Sequence, residues 1–314
     1  MTDDEPAVFG RSVEAAAAAL VGPETPGEDE IAAALELIAE DGAVSRERVE
    51  EALGGLARVV STPETRLELA AREVGAATDA AADLTDIPTV ASRLAGLDSR
   101  LSALEQDVDA LGDRLSELSA RAGDPAAAFD VAREIRALTE DANAAQARAD
   151  QLRDDAESTR RWLRDPAARR REFDDEVDAV AEAIDSVDDV AAWLDDESDE
   201  PPDGVDPDAP GAHWADATTG ARVNELLIAD LRAELADLRT MAERADDDPD
   251  LADLESRLAA LTDRRDRLAA TLSAAARPAW RADHGARLES ARERIEEFAP
   301  PVDWGAVRAA LDDV

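Results

Sequence analysis

Between Ile87 and Leu118 the apolar residues fall at a spacing that allows one structural reading. Ile87, Val90, Leu94, Leu97, Leu101, Leu104, Val108, Leu111, Leu115 and Leu118 are separated alternately by three and four residues, ten positions in a row. This is the a/d pattern of a heptad repeat, and it predicts a long helix whose narrow seam faces another helix. The residues between, such as Ser99, Arg100, Glu105, Asp107, Asp109, Asp113 and Arg114, are small or charged. Asp86 with Pro88 in the first turn marks the start. Gly123-Asp124-Pro125 marks a sharp stop followed at once by a new start.

The same period continues at Val131, Ile135, Leu138, Ala142, Ala145, Ala149, Leu152, Ala156 and Leu163, with Thr159 in one slot, and the alanines require a partner at close approach. Asp165-Pro166 interrupts it, as a kink or a hairpin. A third run follows at Phe173, Val177, Val180, Ile184, Val187, Ala191 and Leu194. Residues 195–208 hold eight acids, three prolines and no base, so they read as a linker, extending to Gly220. Helical spacing resumes at Ile228, Leu231, Leu235 and Leu238. After Asp248-Pro249 it continues at Leu251, Leu254, Leu258, Leu261, Leu268 and Leu272, with polar Arg265 and His284 at seam positions. Pro278 opens a helix with Leu288, Ile295 and Phe298, and Pro300 to Trp304 leads into a last short one.

Ahead of the long seam lies a series of shorter helices. Phe9–Val21 is alanine-rich and ends at Gly22-Pro23. Thr25-Pro26-Gly27-Glu28 reads as a capping box before Ile31, Leu35 and Ile38. Asp41-Gly42 stops that helix, Ser45 caps the next (Val49, Leu53, Leu56, Val60), and Thr62-Pro63 restarts a third with Leu67, Leu69 and Val74. No stretch alternates as a strand does. The expected fold is therefore all-α: long heptad-patterned helices in an elongated coiled coil or antiparallel bundle, with a small N-terminal helical subdomain. The segments are 1–84 for the subdomain, 85–195 for the long helices, 196–220 for the acidic linker, 221–299 for a second helical segment, and 300–314 for the terminal helix. A lone exposed helix would not recover its ordering entropy, so the seam faces another helix of the chain or a second copy. The sharp break at residues 123–125 favours the first.

Composition adds a setting. The chain has 75 acidic residues against 34 basic ones, a net charge of -41, no lysine, no tyrosine and no cysteine. A carboxylate-rich surface stays hydrated where molar salt screens its repulsion, so a salt-rich cytoplasm is expected. Kept heptad spacing argues against wholesale disorder. Without cysteine there is no disulfide or thiolate chemistry. Met1–Pro6 is acidic, unlike a secretory signal. The longest uncharged run, Ala15 to Pro23, falls far short of the ~20 residues of a membrane span, so no membrane insertion is expected.

Candidate chemistry is sparse. Arg160, Arg161, Arg164, Arg169, Arg170 and Arg171 surround Trp162 and could hold an anion or nucleic acid with stacking on the indole. With so many carboxylates nearby, pairing within the protein is the favoured reading. Ile31–Val60 could form a helix-turn-helix, but Glu47, Glu50 and Glu51 would face phosphates, and a structural helical hairpin is favoured. His213, in the linker, and His284 lack spaced ligand partners, so no metal is expected. The acidic runs Asp195–Glu200 and Asp246–Asp250 lack the spacing of a calcium loop. No phosphate loop and no nucleophile with an adjacent base occurs, so neither a cofactor nor enzymatic activity is expected.

Two stretches, Arg161-Trp-Leu-Arg-Asp-Pro-Ala-Ala-Arg-Arg and Phe298-Ala-Pro-Pro-Val-Asp-Trp-Gly, together with the overall composition, make the chain resemble haloarchaeal proteins labelled halo transducer protein. That resemblance implies kinship with chemotaxis and phototaxis transducers. The shared element is the long helical hairpin; the sequence carries no transmembrane pair, HAMP segment, glutamate-rich signalling tip or methylation pattern. The functional expectation is a non-enzymatic cytoplasmic scaffold that engages protein partners through helices or self-associates. The alternative is a nucleic-acid-associated factor acting through residues 31–60 or the Arg160–Arg171 cluster.

Overall fold

The computed structural model describes residues 8–22, 26–195, 201–246 and 251–312. It is all-α in character, with ten helices: α1 (Val13–Leu20), α2 (Glu28–Leu35), α3 (Arg46–Ala80), α4 (Pro88–Arg121), α5 (Ala128–Arg164), α6 (Pro166–Leu194), α7 (Pro210–Arg244), α8 (Ala252–Ala275), α9 (Pro278–Glu296) and α10 (Trp304–Asp312). Four features named in the sequence lie wholly or partly outside the described residues: the acidic Met1–Pro6, the Thr25 cap, the Asp248-Pro249 break and the greater part of both acidic runs. The chain forms two compact units, Met1–Ala80 with Leu94–Arg160, and Ala81–Arg93 with Arg161–Val314. Residues 1–80, expected as a subdomain of their own, thus group with the long helices.

In the first unit α4 and α5 form an antiparallel pair. Arg100 meets Asp155 at 2.8 Å, Asp107 meets Arg148 at 2.6 Å, and Arg114 meets Asp141 at 2.7 Å. Each pair lies seven residues further along α4 and seven further back along α5, a full heptad step. Of the ten seam residues, nine on α4 and Ile87 just before it, Leu101 and Leu115 are half-buried and the other eight buried. Ala142, Ala145, Ala149 and Ala156 of α5 are almost completely buried, as a closely approached alanine seam requires. Helix α3 runs parallel to α5, since Arg66 reaches Asp150 at 3.2 Å and Glu73 meets Arg160 at 3.3 Å. The turn after α4 is held by Arg46, which donates to the Gly123 carbonyl at 3.0 Å.

Two expectations for this unit are corrected. Thr62-Pro63 does not restart a helix: α3 runs straight through Pro63, which is buried. One turn earlier, Thr62 Oγ1 and Ser61 Oγ each donate to the Arg58 carbonyl, hydrogen bonds made within the continuous helix. Asp41-Gly42 is more than a helix stop. Both residues have positive φ, 51° and 77°, as a two-residue type I′ turn demands, and they join the short strands β1 (Ala39–Glu40) and β2 (Ala43–Val44). The backbone of Gly10 and Arg11 pairs with Val44 on the open side of β2, so the helix expected from Phe9 begins only at Val13, capped by Ser12.

The second unit is built from α6 to α10, with the first turns of α4 and the last turn of α5. Helix α6 lies antiparallel to α7 and parallel to α8. Arg170 meets Asp253 at 2.7 Å, Arg257 meets Asp174 at 2.7 Å, and Arg264 meets Asp185. Helices α7 and α8 are antiparallel, joined by Arg232 to Thr262 at 2.7 Å, by Arg239 to Glu255, and by Arg265 to Glu225 at 3.3 Å. The polar seam position Arg265 thus reaches across to α7.

The linker reading fails over 210–220. Pro210 occupies the first turn of α7, ten residues before the expected end of the linker, and His213 lies in that turn. The cause is burial: Trp214, Ala215, Ala217 and Ala221 are enclosed, and Trp214 Nε1 donates to the Leu272 carbonyl at 2.9 Å. At Gly211 any Cβ would approach Trp280 Cδ1 to 2.8 Å, so the first turn of α7 requires glycine for packing.

A half-buried arginine and a carboxyl pair line a cleft

The sequence-predicted arginine group is dispersed by the fold. Arg160 pairs with Glu73 in the first unit. In the second, Arg169 is buried and donates to the carbonyls of Trp162 and Leu163 at 3.0 Å each, closing the open C-terminus of α5. Asp165, the one residue between α5 and α6, caps α6 through the Ala167 amide. Arg170 is bound to Asp253 and Asp174, and Arg171 lies 4.0 Å from Asp165. Arg161 is engaged, and Arg164 is exposed. Trp162, which was to stack a base, is 1% exposed and is covered by the guanidinium of Arg93 at 4.3 Å from its ring centroid.

That arginine is the centre of a site that sequence reading missed. Arg93 stands on the second turn of α4. It meets Glu172 at 2.6 Å and Glu176 at 4.0 Å, one turn apart on α6, and Glu234 of α7 at 3.2 Å. Burial alone would disfavour its charge. Glu234 and Glu172 more than offset that, and Arg93 is held even more firmly protonated than a free arginine. Burial pushes the Glu176 carboxyl up to about 8, and the facing Glu234 adds to the shift while Arg93 opposes it. Burial also raises Glu234, again against the pull of Arg93. The two carboxyls face one another and titrate as a pair, in which burial favours the protonated form of Glu176.

The cluster lines a cleft of about 460 Å³. One wall is α4, set by an unexpected cap. Thr89 N and Oγ1 both donate to Asp237 Oδ2 of α7, at 2.8 and 2.7 Å, while Asp86 instead holds Arg244 through two bonds of 2.7 and 2.6 Å. Another wall is the chain after α9. Asp230 on α7 accepts from Val302 N at 3.0 Å and from Trp304 Nε1 at 2.9 Å, and so fixes Pro301, Val302 and Trp304 along the opening. Behind them Leu226, Ile295 and Val307 form a small core. The two stretches that carry the resemblance therefore meet here: Trp162 bears Arg93, and Pro301 to Trp304 close the wall.

Nothing in the sequence ranked these glutamates above the other carboxylates. The available signal was faint: an arginine directly before a seam leucine, and two glutamates four apart on a helix that follows a tryptophan. Among the described residues no group of three His, Cys, Asp or Glu side chains is placed to hold a metal ion, and no helix is long and apolar enough to cross a membrane. Compared with protein-family models, curated proteins and solved structures, the chain matches none.

Proposed function

We propose that the chain is a non-enzymatic coiled-coil scaffold of a salt-rich cytoplasm, presenting a preset arrangement of helices to a protein partner. The observation that carries this reading is the α4/α5 pair, whose heptad-stepped ion pairs fix register along three successive heptads. A helix pair held in one register is a rigid ruler, and the faces that α3 does not cover can engage another helix. The acidic, lysine-free surface supports the salt-rich setting. The resemblance to halo transducer proteins supports a place beside signalling assemblies.

Crosslinking in cells at native salt, followed by reconstitution with the purified partner, tests the proposal. The expected result is a stoichiometric complex with another helical protein. Recovery of a histidine kinase or coupling protein would place the scaffold in sensory signalling. A DNA shift whose affinity falls log-linearly with salt would overturn the reading in favour of nucleic-acid association.

A further inference from the structure

The cleft beside Arg93 carries more negative charge than its one arginine neutralises. Asp230 spends its two oxygens on Val302 N and Trp304 Nε1, and Glu234 and Glu172 hold the guanidinium. Glu176 reaches Arg93 only at 4.0 Å, the longest of the three glutamate contacts to that guanidinium, and otherwise faces Glu234. Beside the acids the lining includes the apolar side chains Val180, Leu227, Leu231 and Val302 and the Trp304 ring. A cleft of about 460 Å³ lined by both charged and apolar side chains has the size and make-up of a small-molecule site.

We propose that this cleft binds a small organic cation, a primary ammonium on an aliphatic body, with Glu176 as its counter-charge and Leu227, Leu231, Val302 and Trp304 around the body. This inference is independent of the scaffold reading. A bare metal ion would leave the apolar wall unused, and the described residues offer no three-ligand cluster for one. The groups facing Glu176 are Arg93 from α4, Glu234 and Asp230 from α7, and Glu172 from its own helix. The raised Glu176 carboxyl, facing Glu234, is the group whose proton an arriving cation displaces. Binding at neutral pH therefore releases that proton to solvent, and the ammonium takes its place against the carboxylate pair.

Calorimetric titration of the full chain with hexylammonium, methylammonium and hexanol tests this. Hexylammonium is expected to bind, and each methylene beyond methylammonium to tighten binding about three- to fourfold. Hexanol is expected to bind at least about tenfold more weakly, for want of the charge. Affinity for hexylammonium should rise as pH is raised towards about 8 and level off above it, since an alkylammonium itself titrates only near about 10. Glu176→Gln should weaken binding at least about tenfold and abolish the proton release seen on comparing buffers of different ionisation enthalpy. Ala179→Trp, at the exposed rim, should block the cleft without touching the buried cluster. Equal binding of hexanol and hexylammonium, chain-length independence, or undiminished binding by either variant would overturn the proposal.

Discussion

Glu176 shows how far a single side chain is decided by its neighbours. In an unfolded chain its carboxyl titrates near 4.5; burial and Glu234 raise it to about 8 in the fold. Between those values the native state binds a proton that the unfolded state does not. The contribution to stability is therefore complete below the lower value, falls as pH rises, and is lost once pH passes the upper one. The expected outcome is a denaturant midpoint that declines from mildly acidic to mildly alkaline pH more steeply for the native sequence than for Glu176→Gln, with the variant overtaking it at alkaline pH. Parallel midpoint curves for the two proteins would refute this. Arg93 makes the complementary case. Arg93→Met leaves Glu172, Glu176 and Glu234 facing one another without a cation, and should cost on the order of 3 kcal/mol in chemical denaturation. Adding Glu234→Gln should recover part of that loss, because the two residues share one network.

At the scale of elements, long helices and their seams were legible because burial of an aliphatic every three to four residues is a local, periodic signal. Leu97, Leu104, Leu111 and Leu118 are buried as that period demands. The alanine seam of α5 was equally legible, and it predicts its own sensitivity. Ala149→Leu inserts three carbons where the side chain is fully buried and should destabilise by about 1–3 kcal/mol, measured by urea unfolding. Element boundaries were less legible. Pro63 was read as a break because proline removes an amide, yet α3 continues through it and buries its ring. The start of α7 was hidden among prolines and acids because its anchors, Trp214 and a row of alanines, follow no leucine period. The cap of α4 could not be found locally at all, since Asp237 lies 148 residues from Thr89. Asp237→Ala should lower the unfolding midpoint by an amount equivalent to about 1 kcal/mol.

For the whole molecule, the balance between the seams and the net charge of -41 sets the response to solution conditions. Because the α4 seam is already buried within the chain, light scattering after size exclusion in molar KCl is expected to give the mass of one chain, 33.4 kDa. A stable dimer would show that an outer face, rather than the seam, associates. Raising KCl from tenths of molar to several molar shortens the screening length from about 10 Å to about 3 Å or less. The thermal midpoint should rise with it, because repulsion among exposed carboxylates weakens while the buried apolar seams are little affected.

The sequence alone determined helix type, the apolar seams and the likelihood that arginines would find carboxylate partners, since period and charge are properties of the chain read in order. Only the tertiary structure decided which helix each seam meets, where α7 begins, and which glutamates among 75 acids matter. Glu172, Glu176 and Glu234 are ordinary in sequence. They share one arginine only because α4, α6 and α7 bring them to it, and burial there raises the carboxyls of Glu176 and Glu234.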